Sequence, residues 1–113
     1  MSKKSLPLSK VYGLLEPGPV VLVTTAQNNK PNVMTISWHT MMGFEPPLVG
    51  CIISNNNYSF EILKATNECA INIPTVDITE KVVNCGKTTG KCTDKFKEFG
   101  LTPKSAHLFL PPY

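Results

Sequence analysis

Two β-rich runs separated by an asparagine turn constrain this chain more than any other feature. Pro19-Val-Val-Leu-Val-Thr-Thr25 reads as a strand, Asn28-Asn29-Lys30-Pro31 supplies turn chemistry, and Asn32-Val-Met-Thr-Ile-Ser-Trp-His-Thr-Met-Met42 resumes the β pattern. The pair predicts a hairpin. In the second run strict alternation places Met34, Ile36 and Trp38 on one face and Thr35, Ser37 and His39 on the other. The apolar face suits either a core or a flat ligand. The hydroxyls and neighbouring backbone N–H groups suit polar ligand edges or a phosphate.

Beyond Pro46-Pro47, the run Leu48-Val-Gly-Cys-Ile-Ile53 lacks alternation and reads as a strand buried on both faces. Asparagines then precede a short helix over 58–66, whose N-terminus at a strand end is a ready anion site. A strand over 69–73 follows, closed by Pro74. Asp77 and Glu80 fit a capping box for the next helix, with Ile78, Val82 and Val83 on its apolar side and Gly86 as its stop. Thr93 to Gly100 reads as a third helix, and Ala106 to Leu110 as the start of a fifth strand.

At 113 residues the chain is one domain, 1–113, with 42% apolar and 17% charged residues, a globular composition. No stretch reaches the ~20 apolar residues of a membrane helix, and the lysine-bearing start lacks an apolar h-region. The expected location is cytoplasmic, without membrane association. Eleven lysines and no arginine give a net charge of +3. Without arginine's bidentate base contacts a nucleic-acid reader is disfavoured, whereas lysine is adequate for a small phosphate.

Cys85-Gly-Lys-Thr-Thr-Gly-Lys-Cys92 superficially resembles a phosphate-binding P-loop, but its first required glycine is Cys85, its last hydroxyl is Cys92, and a helix precedes it. Its lysines still leave a positive patch, either a solvated loop or an anion contact. The four cysteines lack a Cys-x-x-Cys pair, so no metal site is expected. Cys51 and Cys69 read as small buried hydrophobes, and Cys85 with Cys92 as a conceivable thiol redox pair. His39 and His107 have no triad partners placed by sequence.

Taken in order, Pro17-Gly-Pro-Val-Val-Leu-Val-Thr-Thr25, Asn32 to Trp38, Glu45-Pro-Pro-Leu-Val49, Ser54-Asn-Asn-Asn-Tyr-Ser59 and Asp94-Lys-Phe96 resemble the flavin reductase-like family, in particular its flavoredoxin-like branch. The resemblance covers nearly the whole chain. It implies a mainly β, α+β fold with short helices, an FMN-binding split β-barrel, and a homodimer with a flavin near each interface. Members continue beyond the position of Tyr113 with strands that complete the barrel, so the barrel here is expected to be incomplete.

Carried over by position, Met34, Thr35, Ile36, Ser37 and Trp38 would lie along the isoalloxazine and ribityl parts of FMN. Ser54, Asn55, Tyr58 and Ser59 would take the ribityl and phosphate end. Cys85, Gly86, Thr89, Gly90 and Lys95 match a later cofactor-facing loop, with Lys95 toward the phosphate. The implied activity is an oxidoreductase of the NAD(P)H:flavin type, or electron transfer to a redox partner protein. The alternative is a non-catalytic FMN-binding or dimerisation module derived from a shortened domain.

Overall fold

The computed structural model describes residues 2–15 and 18–105. Asn28 and Asn29 both hold positive φ, 55° and 61°, as a two-residue type I′ turn requires, and asparagine tolerates that region better than most side chains. The turn joins β1 (Val21–Gln27) to β2 (Lys30–Ile36) in register from Val21 opposite Ile36 to Gln27 opposite Lys30. A short strand, Ala70–Asn72, pairs with the other side of β1. The resulting antiparallel sheet has its hairpin's second strand at one edge.

Both faces of this sheet are covered. Directly opposed residues share a face, so Val21, Val23, Thr25, Asn32, Met34 and Ile36 lie together and meet the helix over Tyr58–Thr66 and Ile53. On the other face Leu22 and Val33 pack with Val82 and Cys85 of the helix Thr79–Lys87, backed by Phe96, Phe99 and Leu101. Val23 and Val33 are each 1% exposed, and burial of a side chain of this size contributes roughly 1.5–3 kcal/mol.

The Asn32–Met42 segment is not one strand. It breaks at Ser37 and Trp38, where the His39 N–H bonds the Ser37 carbonyl at 3.0 Å, a three-residue turn. The chain then enters β3 (His39–Phe44), which pairs with β4 (Pro47–Cys51) through Glu45 and a cis Pro46 as a separate two-stranded ribbon. Trp38 therefore leaves the Met34–Ile36 face and is 50% exposed. The expectation of a doubly buried strand over 48–53 also fails. Among the described residues the run pairs with β3 alone, and Leu48, Val49, Cys51 and Ile52 are exposed; Cys69, outside this run, is exposed as well. The two sheets do not close into a barrel among the described residues.

With Ala70–Asn72 as β5, the α-helices in chain order are α1 (Tyr12–Leu15), α2 (Tyr58–Thr66), α3 (Thr79–Lys87) and α4 (Lys95–Phe99). α2 has its predicted bounds and stops at Asn67 in the left-handed region. α4 is capped by the Asp94 carboxylate, which accepts from the Lys97 N–H, and ends at Gly100 with φ 66°. The Asp77–Glu80 capping box does not form: a 3₁₀ turn over Val76–Ile78 absorbs Asp77, whose carboxylate accepts from the Thr75 hydroxyl instead. Gly86 is likewise no stop. It lies inside the last turn of α3, where a Cβ would come 3.3 Å from Thr35 Cβ, so glycine lets the helix settle onto β2. The strand expected over 106–110 lies outside the described residues. No helix among the described residues is long and apolar enough to cross a membrane.

Candidate functional site at the free edge of β2

A cleft of about 260 Å³ opens where the edge strand β2 meets the start of α2 and the end of α3. Asn32 and Met34 line it from the strand, Asn56 to Ser59 from the α2 side, and Gly86 to Gly90 from the end of α3 and its following loop. Lys95, the first residue of α4, completes it. Among the described residues no carboxylate lines the cleft, while two lysines, Lys87 and Lys95, do. Anions are favoured in such surroundings.

The α2 side presents a helix start without a side-chain cap. Asn57 sits at the N-cap in extended conformation, and its side chain makes no capping bond. The positive end of a nine-residue helix thus faces the cleft through Tyr58 and Ser59. Ser59 is 2% exposed, and its hydroxyl oxygen accepts from the Asn32 side-chain amide at 2.8 Å.

Lys95 is 5% exposed yet has no carboxylate partner among the described residues. Its ammonium donates to the Val33 and Cys85 carbonyls, each at 2.8 Å, and among the described residues the third of its three N–H donors has no acceptor. Burial pulls its pKa below the usual lysine value, partly opposed by the neighbouring Cys85 thiol. The same burial pushes Cys85 up, with Lys95 opposing. A buried thiol held in its neutral form is a poor nucleophile, and Cys85 is a core residue beside an exposed Cys92 in the same run, both free thiols. That arrangement disfavours the thiol redox reading.

Gly90 brings the loop down on the strand. A Cβ there would overlap Asn32 Oδ1 and stand 2.9 Å from its Cγ, so any larger residue would push the loop off Asn32. Farther out, Lys91 Nζ lies 3.6 Å from Glu61 Oε1, an exposed pair that spans from this loop to α2.

Of the residues proposed from sequence, Met34, Tyr58, Ser59, Gly86, Thr89, Gly90 and Lys95 come together around the cleft. The others lie elsewhere. Thr35 points to α3 and donates to the Val82 carbonyl at 2.6 Å; Ile36 and Cys85 are core; Ser37 and Trp38 form the strand break. The Ser54 hydroxyl accepts from the Asn56 N–H, and Asn55 is exposed in the turn. His39 bonds the Pro19 carbonyl at 2.7 Å rather than facing the cleft. Sequence reasoning missed Asn32, Asn56, Asn57, Lys87 and Thr88 as lining residues. Extending the Met34–Ile36 alternation back by two would have flagged Asn32 as a polar residue on an apolar face.

Comparison with known proteins agrees with this architecture. An uncharacterised protein of Pyrococcus abyssi is 32% identical over 91 residues, 80% of this chain and 52% of that protein. The flavoredoxin of Desulfovibrio vulgaris (Miyazaki F) superposes with a TM-score of 0.74 at 24% identity, covering 91% of this chain and 52% of its own. An FMN-binding domain of a flavin reductase-like enzyme from Shewanella baltica gives a TM-score of 0.73 at 25% identity, with 92% and 56% covered. The chain thus spans about half the length of the relatives it matches. The α+β fold with short helices, open here, is that of split-barrel neighbours. Since the flavin reductase-like domain also matches residues 14–112, nearly the whole of this sequence, the chain belongs to the flavin reductase-like family.

Proposed function

We propose that this chain binds FMN, with the phosphate and ribityl end in the cleft at the edge of β2, and serves hydride or electron transfer through it. The observation that carries the reading is the donor set: Ser59, the buried ammonium of Lys95 and the uncapped start of α2 converge on a cleft that no described carboxylate lines. A phosphate monoester supplies only acceptors at neutral pH, which such a site complements. At about 260 Å³ the cleft lies below the roughly 300–1,000 Å³ of pockets that enclose whole ligands, so the ring system of a flavin extends beyond it. The names of the solved neighbours, a flavoredoxin and an FMN-binding domain, support the same cofactor.

Bound FMN supplies hydride and one-electron chemistry that no side chain here offers. The protein's part is to hold and orient. Lys95 and the α2 start would neutralise the phosphate, Ser59 would donate to it, and Gly90 lets the loop close against Asn32. NAD(P)H is the proposed hydride donor, with a redox partner protein as the acceptor in a flavoredoxin-like role. A homodimer is the proposed working form, for which the bare apolar ribbon β3–β4 offers contact surface.

Purified protein titrated with FMN should quench flavin fluorescence and raise its melting temperature. Absence of both responses would refute the reading for this chain. NAD(P)H consumption above the free-flavin background then separates a reductase from a binding module.

A further inference from the structure

We propose that Asn32 is a positioning residue that commits the Ser59 hydroxyl proton to an oxygen of the phosphate in the cleft. The inference rests on the FMN-binding reading above. A serine hydroxyl carries one proton and two acceptor lone pairs. The Asn32 side-chain amide donates to that oxygen at 2.8 Å, and among the described residues no acceptor takes the Ser59 proton in return. With a lone pair occupied by an N–H, the hydroxyl is left as a donor to whatever enters the cleft that both residues line.

Asn32 is placed for this role at some cost. It is 5% exposed on a sheet face shared with Val21, Val23, Thr25, Met34 and Ile36, where an amide is expensive unless it is bonded. Its cross-strand neighbour Thr25 is buried, and its hydroxyl has no hydrogen-bond partner among the described residues. The amide thus bonds α2 across the cleft, not the polar group beside it in the sheet. The backbone of Gly90 lies against the other end of the amide, where a Cβ would overlap Oδ1. A site organised in this way prefers ligand atoms that only accept. A phosphate oxygen is such an atom, whereas the terminal hydroxyl of riboflavin both donates and accepts.

The test is a double-mutant cycle with Asn32→Ala, Ser59→Ala and their combination, reading dissociation constants for FMN and for riboflavin by fluorescence quenching. Each single variant should weaken FMN roughly tenfold, as loss of a hydrogen bond to a charged group does, and the combination little more than either alone. Riboflavin affinity should move less than about threefold. Asn32→Asp keeps the shape but accepts the Ser59 proton, and should weaken FMN more than Asn32→Ala does while circular dichroism stays unchanged. Equal losses for both ligands, or losses that multiply in the combined variant, would overturn the role. If the wild type binds no flavin, inorganic phosphate becomes the probe. A rise in melting temperature with phosphate that Asn32→Ala abolishes upholds the positioning role and sinks the FMN reading, and no response to phosphate sinks both.

Discussion

The three-stranded sheet and the β3–β4 ribbon are written in similar residues but end in opposite surroundings. Val21, Val23, Val33 and Ile36 lie between α2 on one side and α3 with α4 on the other, whereas Met41, Met42, Phe44, Leu48 and Val49 stand exposed on a ribbon that, among the described residues, pairs only with itself. Hydrophobicity therefore does not decide burial here; the number of elements that reach a strand does. The candidate cleft forms at the border between the two regimes, on the edge of the covered sheet that no other described strand pairs with. There the Lys95 ammonium donates to the Val33 carbonyl, so the strand edge becomes a wall of the cleft and that carbonyl is withdrawn from further pairing.

The largest effect should come from charging the two regions in turn. Val33→Asp places a carboxylate at a position 1% exposed, against Val82 and Cys85. A loss of about 4 kcal/mol or more is expected, because a buried unpaired charge is among the costliest substitutions. Phe44→Asp, at a position 94% exposed, should stay within about 0.5 kcal/mol. Urea unfolding of both variants at low protein concentration measures the contrast. Comparable losses would show that the ribbon is packed in solution, and a Phe44→Asp effect that grows with protein concentration would identify the packing as a second copy.

A smaller effect separates the cleft from the core it borders. Burial lowers the pKa of Lys95, so between its folded pKa and the unfolded value near 10.4 the unfolded chain binds more protons. Stability should rise with pH across that window; below it both states are protonated and the cost of the buried ammonium is fully present. Lys95→Met removes this slope. At pH 7 the variant's stability should change by less than about 2 kcal/mol, since relief from burying a charge opposes the loss of donors to the Val33 and Cys85 carbonyls. FMN affinity, by contrast, should fall in the variant, and in the wild type it should decline as pH rises through the folded pKa of Lys95. Unfolding curves and FMN titrations across alkaline pH check both slopes, and a pH-independent wild-type affinity would remove Lys95 from the phosphate site.

Local chemistry was legible in the sequence, and long-range coverage was not. Asn28-Asn29 sets its own turn through positive φ, Gly100 ends α4, and the bounds of α2 follow from its pattern. The break at Ser37–Trp38 was hidden because a three-residue turn needs no glycine or proline, and alternation reads straight through it. The exposure of Leu48, Val49 and Cys51 was hidden because an apolar run does not reveal whether anything packs on it. At the site, Ser59, Gly90 and Lys95 could be proposed from the family resemblance, and Tyr58 with them. Thr35 could not be separated from them, since a strand hydroxyl bonds a helix carbonyl or a ligand with the same chemistry. Asn32 escaped attention because its significance lies in a partner 27 residues away.

The smallest effect contrasts the exposed Lys91, on the loop that carries Gly90, with the buried Lys95. Lys91 bridges to Glu61 from the loop that carries Gly90, and the pair looks placed to clasp that loop to α2. Its side chains, however, are 63% and 56% exposed with a 3.6 Å separation. A pair in that setting contributes about 0–0.5 kcal/mol because water screens the attraction and both long side chains lose freedom. Lys91→Ala should therefore change FMN affinity less than about twofold and leave the melting temperature nearly unmoved, at low salt as well as high. The loop is held instead where it is tight, by Gly90 against Asn32 and by the ammonium of Lys95 on the Cys85 carbonyl. A tenfold loss of FMN on Lys91→Ala, restored by Lys91→Arg, would reverse that ranking and make the exposed clasp, not the buried contacts, the element that closes the site.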